Sequence, residues 1–327
     1  MTTKKDEETN IDAVLKDIIK KYGKDSITTG QSTRKIDIDV IPTGSIGLDK
    51  ALGIGGIPRG RIIEIYGNES AGKTTLALHI IAEAQKQKLA CAFIDAEQSL
   101  SLPYAKQLGV DIDKLLLSIP NSGEEGLDIT ETLVKSKEVG VIVIDSVAAL
   151  TPQAEIDGEM GARHIGLQAR LMSQGLRKLT ALASRTNTAI IFINQIRMMI
   201  GQTWGIPETT TGGVALKFYT TVRIEVRRAA KLKDGDDIVG NRIRVKIAKN
   251  KISAPFKTLE YDIIFGEGIS KITEAINIGL ASGIIHKEGI SLYFNKEKLG
   301  RSMQTTKKYL KEHSETLNKI IKDINNT

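Results

Sequence analysis

Residues 67–74 read Gly-Asn-Glu-Ser-Ala-Gly-Lys-Thr, which fits G-x-x-x-x-G-K-[ST], and they follow the apolar run RIIEIYG. Such a loop works only where a strand delivers it and a helix begins at its end, so it dictates an α/β unit at this point. The glycines let backbone N–H groups curl around a β-phosphate, and the helix aims the positive end of its dipole at the same place. Gly67, Asn68, Glu69, Ser70, Ala71 and Gly72 read as a phosphate cradle. Lys73 reads as the cation for the β/γ oxygens and Thr74 as the Mg²⁺ ligand, with Thr75 beside it. The chemistry expected here is binding and hydrolysis of ATP with Mg²⁺.

Three more apolar runs follow: ACAFIDAE (90–97), VGVIVIDS (139–146) and TAIIFINQ (188–195). They are continuous, not alternating, as parallel strands covered on both faces require. Helical patterns lie between them, one starting near Gly72 and one over 167–184. The expected fold is α/β, a P-loop NTPase core with a mostly parallel, doubly wound sheet. In such sheets ligands bind at the carboxyl ends of the strands. Asp145, Glu97 and Gln195 end three of the runs there. Asp145 suits the second coordination sphere of the Mg²⁺ ion, Glu97 the base that orients or deprotonates water, and Gln195 a hydrogen bond to the γ-phosphate.

Two loops should leave the same rim, over 157–166 and 196–213. The second is too long for an inert connection, and Gln195 joins it directly to the nucleotide edge, so it reads as a binding loop with a switch at its base. Trp204 in it suits either stacking on a base or tethering the loop, and His164 reads as a loop residue, not a metal ligand. Beyond Phe218 the pattern alternates: Arg242, Arg244 and Lys246 against Ile243, Val245 and Ile247, a strand with an apolar back and a cationic front. Residues 223–257 hold 11 basic and 4 acidic residues, an excess equal to the whole chain's net charge of +7. That reads as a polyanion-facing surface, or as a solvated face.

Residues 10–23 place Ile11, Val14, Leu15, Ile18, Ile19 and Tyr22 on one helical stripe that needs a dock, either its own core or a neighbouring subunit. From about residue 268 the sequence reads as a small α/β domain: a helix, a hairpin around SLYFNKEKLG and a final helix near 303–324. The boundaries expected are 1–36, 37–268 and 269–327. Cys91 stands alone in an apolar run and reads as core, and the polar N-terminus with no membrane-length apolar run points to a cytoplasmic protein with no membrane partner.

The stretches GRIIEIYGNESAGKTTLAL, CAFIDAE, VIVIDSVAAL, EIDGEMG, GLQARLMSQGLRKLT, FINQIRM, PETTTGG, ALKFY and KNKISAPFK resemble the RecA family of bacterial recombinases. They lie within about residues 40–260, and the flanks look like the family's N-terminal helix and C-terminal domain. The resemblance implies a DNA-dependent ATPase that forms a helical filament of itself on single-stranded DNA and pairs it with duplex DNA in recombinational repair. It also implies stimulation of SOS repressor self-cleavage. By motif, Glu97 would be the catalytic carboxylate, Gln195 the γ-phosphate sensor, and Tyr104 the adenine stack. Lys249 and Lys251 would reach a neighbour's ATP, with Phe218 at that interface. Arg170, Ser173, Arg177, Arg197, Met198, Gly212 and Gly213 would lie near DNA phosphates, and Ile165 and Ile200 at base steps. The N-terminal helix would dock on the adjacent protomer.

Departures from the family pattern carry their own expectations. Ser101 replaces an Asp that would contact the adenine edge, implying looser base selectivity. Ala162-Arg163 replaces Asp-Ser, Met199 a Lys, Trp204 a Phe, and Val214 an Asn. The chain ends HSETLNKIIKDINNT without the family's acidic tail, implying less restrained DNA uptake. Three rival readings are a scaffold filament whose output is a surface for a repressor, a ring-forming helicase, and a small-molecule kinase. The KNK motif and the paired loops argue against the ring, and the lack of an arginine-rich lid argues against the kinase.

Overall fold

A computed structural model describes residues 4–23, 26–27, 38–161, 164, 166–198 and 208–326, with backbone alone for 4–10. Ile165, Ile200, Ala162, Arg163, Met199 and Trp204 lie outside the described residues. The chain divides into two units, Met1–Asp39 and Val40–Thr327.

The first unit holds α1 (Lys4–Tyr22), which starts earlier than the apolar stripe implied and ends at Gly23 with φ +96°. Ile11, Val14 and Tyr22 of the stripe are more than half exposed.

In the second unit β1 (Val40–Ile41) pairs with β2 (Ile57–Pro58) around α2 (Ile46–Leu52). Then come β3 (Ile62–Gly67), α3 (Lys73–Lys86), β4 (Ala90–Asp95), α4 (Leu102–Gln107), β5 (Leu115–Ser118), α5 (Gly123–Ser136) and β6 (Val139–Asp145). They are followed by α6 (Gln153–Ile156), α7 (Leu167–Thr186), β7 (Ala189–Met198), β8 (Glu208–Thr210) and α8 (Ala215–Tyr219). The long hairpin strands β9 (Val222–Asp234) and β10 (Asp237–Asn250) lead to β11 (Thr258–Ile264) and β12 (Gly268–Ile269). The main sheet runs β12-β11-β10-β9-β3-β7-β6-β4-β5, with β8 antiparallel to the end of β7. Strands β9, β3, β7, β6, β4 and β5 are mutually parallel, and β10 to β12 extend the sheet antiparallel.

The continuous apolar runs are explained by cover on both faces. Ile63, Ile65, Val141, Val143, Ile191 and Ile193 pack with Leu76, Ala77 and Ile80 of α3. Ile62, Ile142, Ile144, Ile190 and Phe192 pack with Leu127 of α5 and Met172, Leu176 and Leu179 of α7. Period-two side chains can satisfy two helical layers only if every position is apolar.

The alternating strand behaves differently from the sequence reading. Ile243, Val245 and Ile247 are buried as expected. Of the cationic front, however, the two arginines are paired, Arg242 with Asp262 and Arg244 with Glu260, both at 2.9 Å across the β10–β11 ladder, while Lys246 is exposed. Arg227 likewise meets Glu208 and Glu225, and Arg223 meets Glu64. Four of the segment's eleven basic residues thus meet acids that come from outside it.

The last segment comprises α9 (Lys271–Ala281), a three-stranded sheet of β13 (His286–Glu288), β14 (Ser291–Phe294) and β15 (Glu297–Gly300), then α10 (Met303–Glu312) and α11 (Ser314–Asn326). The single final helix expected over 303–324 is two helices, broken at His313 where ψ is 71° and Ser314 starts afresh. The segment has its own apolar cluster, including Ile276, Phe294, Leu310 and Ile320, joined by Ile46 of α2.

Candidate nucleotide and DNA site

Gly67 closes β3 between Gln195 of β7 and Val226 of β9. A Cβ there would lie 1.9 Å from the Val226 carbonyl oxygen, so the strand can turn into the loop at this place only as glycine. Gly72 is the N-cap of α3 with φ +90°, and a Cβ on it would lie 2.6 Å from Ile263. The first turn of α3 carries no acid, which leaves its amide groups for an anion.

Lys73 is buried and its Nζ donates to the Asn68 carbonyl at 2.8 Å, bridging the loop. Burial lowers the amine from its ordinary value, and Asp145, Glu97 and Glu69 oppose that. Thr74 donates its hydroxyl to Asp145 Oδ2 at 2.7 Å. Burial pushes the Asp145 carboxyl up to about 6; the Thr74 bond opposes the rise and Glu97 adds to it. A hydroxyl and a carboxylate with more negative charge nearby are hard oxygen donors, the set that Mg²⁺ takes together with water and phosphate oxygens.

Glu97 is not the end of a strand. β4 stops at Asp95, whose carboxylate accepts from the Ser99 and Leu100 amides at 3.1 and 3.0 Å and folds the turn. That turn presents Glu97, whose own amide donates to the Asp145 carbonyl at 3.1 Å. Glu97 Oε1 accepts from the Ser146 hydroxyl and, at 2.7 Å, from Gln195 Nε2. Lys73, Thr74, Asp145, Glu97 and Gln195 therefore stand on one rim, and the Gln195 backbone runs on directly into Arg197 and Met198, both exposed.

Beside the cradle, a cleft of about 400 Å³ is lined by Ser70, Thr75, Tyr104, Asn241, Ile263 and Phe265 among others. Tyr104 and Thr75 share a hydroxyl contact at 3.1 Å. Sequence reasoning found Tyr104 but missed Arg228, Asn241, Ile243, Ile263 and Phe265, which arrive from β9 to β11 and the turn after β11 with no local motif. Ser101 accepts from the Tyr104 amide as the N-cap of α4, so it keeps the capping part of an Asp's role.

A model of the RecA N-terminal domain matches residues 9–270, and one of the RecA C-terminal domain matches residues 273–327. The chain belongs to the RecA family. It is 57% identical over 311 residues to Protein RecA of Bartonella quintana (strain Toulouse), covering 95% of this chain and 90% of that protein. It is 58% identical over 306 residues to Protein RecA of Bartonella tribocorum, covering 93% and 88%. Protein RecA of Zymomonas mobilis is 54% identical over 319 residues, covering 98% and 90%.

The surface this RecA-family chain offers beside the nucleotide rim is built on α7. Arg170, Ser173 and Arg177 lie three and four residues apart on one helical face, and both arginines are exposed. Gly212 and Gly213, at φ +78° and +76°, pack so closely that a Cβ would lie 2.7 Å from Val147 and 2.8 Å from Ala169. Gln168 holds the start of α7 to the turn after Asp145 through the Val147 carbonyl, at 2.9 Å. The structure therefore brings α7 and the glycines beside the turn that follows Asp145. Val214 is 65% exposed next to them.

Lys249 and Lys251 lie elsewhere. Their amines donate to the carbonyls at the end of α8, Lys249 to Lys217 O and Phe218 O at 2.6 and 3.1 Å and Lys251 to Phe218 O at 3.4 Å. The Phe218 ring beside them is 72% exposed. No described helix is long and apolar enough to cross a membrane.

Proposed function

We propose that this chain is a DNA-dependent ATPase that polymerises as a helical filament on single-stranded DNA and drives homologous pairing and strand exchange with duplex DNA. The observation that carries the reading is the Glu97–Gln195 hydrogen bond at 2.7 Å, which joins the hydrolytic carboxylate to the base of the long loop. Glu97 takes a proton from, or orients, the attacking water. The Gln195 amide gives one N–H to Glu97 and has a second that a γ-phosphate can take, so phosphate arrival and departure bear on the stem of the loop through this side chain. Thr74 and Asp145 would hold Mg²⁺, which supplies charge neutralisation at the β/γ oxygens.

Lys249 and Lys251 contribute in trans to the ATP of the next subunit. Their support is the cluster they form with Phe218, the ring and Lys251 exposed and Lys249 half-buried, an arrangement of cations and an apolar anchor suited to a partner surface. Polymerisation uses residues 1–36. Ile11 and Val14 of α1 are exposed, as are Leu116, Leu117 and Ile119 at the edge strand β5. An uncovered sheet edge with apolar side chains is a surface for a second chain. The core then spans 37–268, and the C-terminal domain 269–327. DNA lies along Arg170, Ser173, Arg177, Arg197, Met198, Gly212 and Gly213, and the assembled filament also prompts self-cleavage of an SOS repressor.

The deciding experiment is ATP turnover with and without single-stranded DNA. A rate that DNA leaves unchanged ends the recombinase reading. Strand exchange measured alongside separates a recombinase from a scaffold filament, which would hydrolyse ATP on DNA without exchanging strands.

A further inference from the structure

Glu64 stands in the middle of the apolar strand IIEIYG and is fully buried. Strand alternation puts it on the face of Ile62 and Tyr66, opposite Ile63 and Ile65. A buried carboxylate is costly unless it is met by donors on the spot. Two side chains meet it, from the two neighbouring strands. Arg223, its register partner on β9, donates from Nε to Oε2, and its guanidinium also lies 4.4 Å from the centre of the Tyr66 ring. Asn194 on β7 donates from Nδ2 to Oε1 at 2.9 Å.

The series continues at both ends. Asn194, itself buried, also donates to the Thr211 carbonyl at 3.1 Å and accepts from the Thr211 hydroxyl at 2.5 Å. Thr211 precedes Gly212 and Gly213 on the returning side of the long loop, and Asn194 precedes Gln195 on its leaving side. At the far end, Arg223 is the register partner of Lys249 on β10. A single carboxylate thus sits between the lysine offered to a neighbouring subunit and both stems of the DNA-facing loop.

We propose that Glu64 is a positioning residue that couples Lys249 and the neighbour-facing edge to the loop stems and Gln195, so that subunit contact and DNA occupancy bear on the same catalytic rim. It touches neither substrate nor water. Its two oxygens tie the middle of β3 to the start of β9 and to the middle of β7, one residue before Gln195, and charge-assisted bonds hold that spacing more tightly than apolar packing would. The inference deepens the DNA-dependent ATPase reading and rests on it.

The test compares Glu64→Gln, which keeps an acceptor for Asn194 but removes the charge that holds Arg223, with the wild-type chain. Turnover is measured with and without single-stranded DNA, together with affinity for a fluorescent ATP analogue and the thermal midpoint. The factor by which DNA stimulates turnover should fall roughly tenfold, within the range of coupling between sites, while analogue affinity stays within about threefold. Thr211→Val, at a half-buried position and far gentler to the fold, should lose stimulation in the same direction, and Thr211→Ser should restore it. If Glu64→Gln does not fold, the Thr211 pair decides. Folded variants stimulated as strongly as the wild type, or a Thr211→Ser no better than Thr211→Val, overturn the proposal. A wild-type chain that DNA does not stimulate overturns the recombinase reading itself and takes this inference with it.

Discussion

Both hydrogen bonds that Glu97 receives from side chains fall on Oε1, from Ser146 and Gln195, which leaves Oε2 without a side-chain donor among the described residues. Glu97→Gln should therefore lower kcat by about 10²- to 10⁴-fold, the usual worth of a general base, while ATP affinity changes little. Retained turnover would remove Glu97 from the role. Asp145 makes a pH prediction. Its carboxyl is raised to about 6, so it takes up a proton as pH falls through that value and ceases to be a charged oxygen donor. The acid limb of kcat/KM should lie near pH 6, and the limb of kcat lower, because Mg²⁺ and ATP favour the ionised form. A kcat/KM limb at the ordinary carboxylate value would contradict the assignment.

At the scale of elements, the junctions between strands and helices carry the constraints. Gly67→Ala would drive a methyl group into the Val226 carbonyl and part β3 from β9. A loss of about 3 kcal/mol is expected, read as a lowered thermal midpoint, with nucleotide binding lost in parallel. The joint between α2 and α9 is different in kind. Glu274 accepts from the Ser45 hydroxyl at 2.6 Å and the Ile46 and Gly47 amides at 3.3 and 3.2 Å. Burial nevertheless pushes its carboxyl up to about 7, and burial does the same to Asp49 nearby. A raised acid is held protonated in the fold, so its stabilising contribution is complete below about pH 4 and is lost as pH rises through about 7. Glu274→Gln keeps an acceptor and cannot ionise. Its thermal midpoint relative to wild type should rise from pH 5 to pH 8, and a difference independent of pH would show that the carboxyl ionises at its ordinary value.

For the whole molecule, the separation of Lys73 from Lys249 makes a prediction about assembly. If hydrolysis needs one subunit's phosphate loop and its neighbour's lysine, Lys73→Ala and Lys249→Ala should each be inactive alone. Mixed on single-stranded DNA, they should recover a fraction of turnover, since a Lys249→Ala subunit keeps an intact loop and a Lys73→Ala neighbour keeps an intact lysine. No recovery in a mixed filament would confine both lysines to roles within one chain. Removal of residues 1–36 should abolish both filament formation and this recovery while leaving the remaining chain folded, measured by light scattering and circular dichroism.

Much of this protein was legible before any coordinates. The cradle at 67–74, four buried parallel strands, α7 and the polar strand end Asp145 follow from local patterns, because strand and helix periodicity and the glycines of a turn are properties of neighbouring residues. Gln195 does not end its strand as the sequence reading has it, because β7 continues to Met198 by pairing with β8. What no window of sequence could decide were pairings across long separations. The cationic face of 223–257 read as open charge until Asp262, Glu260, Glu208 and Glu64 came to meet it. The nucleotide cleft owes Asn241, Ile263 and Phe265 to the antiparallel end of the sheet, well over a hundred residues beyond the loop they face. Glu64 stands in an apolar run with no local motif around it, and only the order β9-β3-β7 gives it Arg223 and Asn194. Short-range sterics choose the elements; which charges end up adjacent depends on sheet order, a property of the folded chain alone.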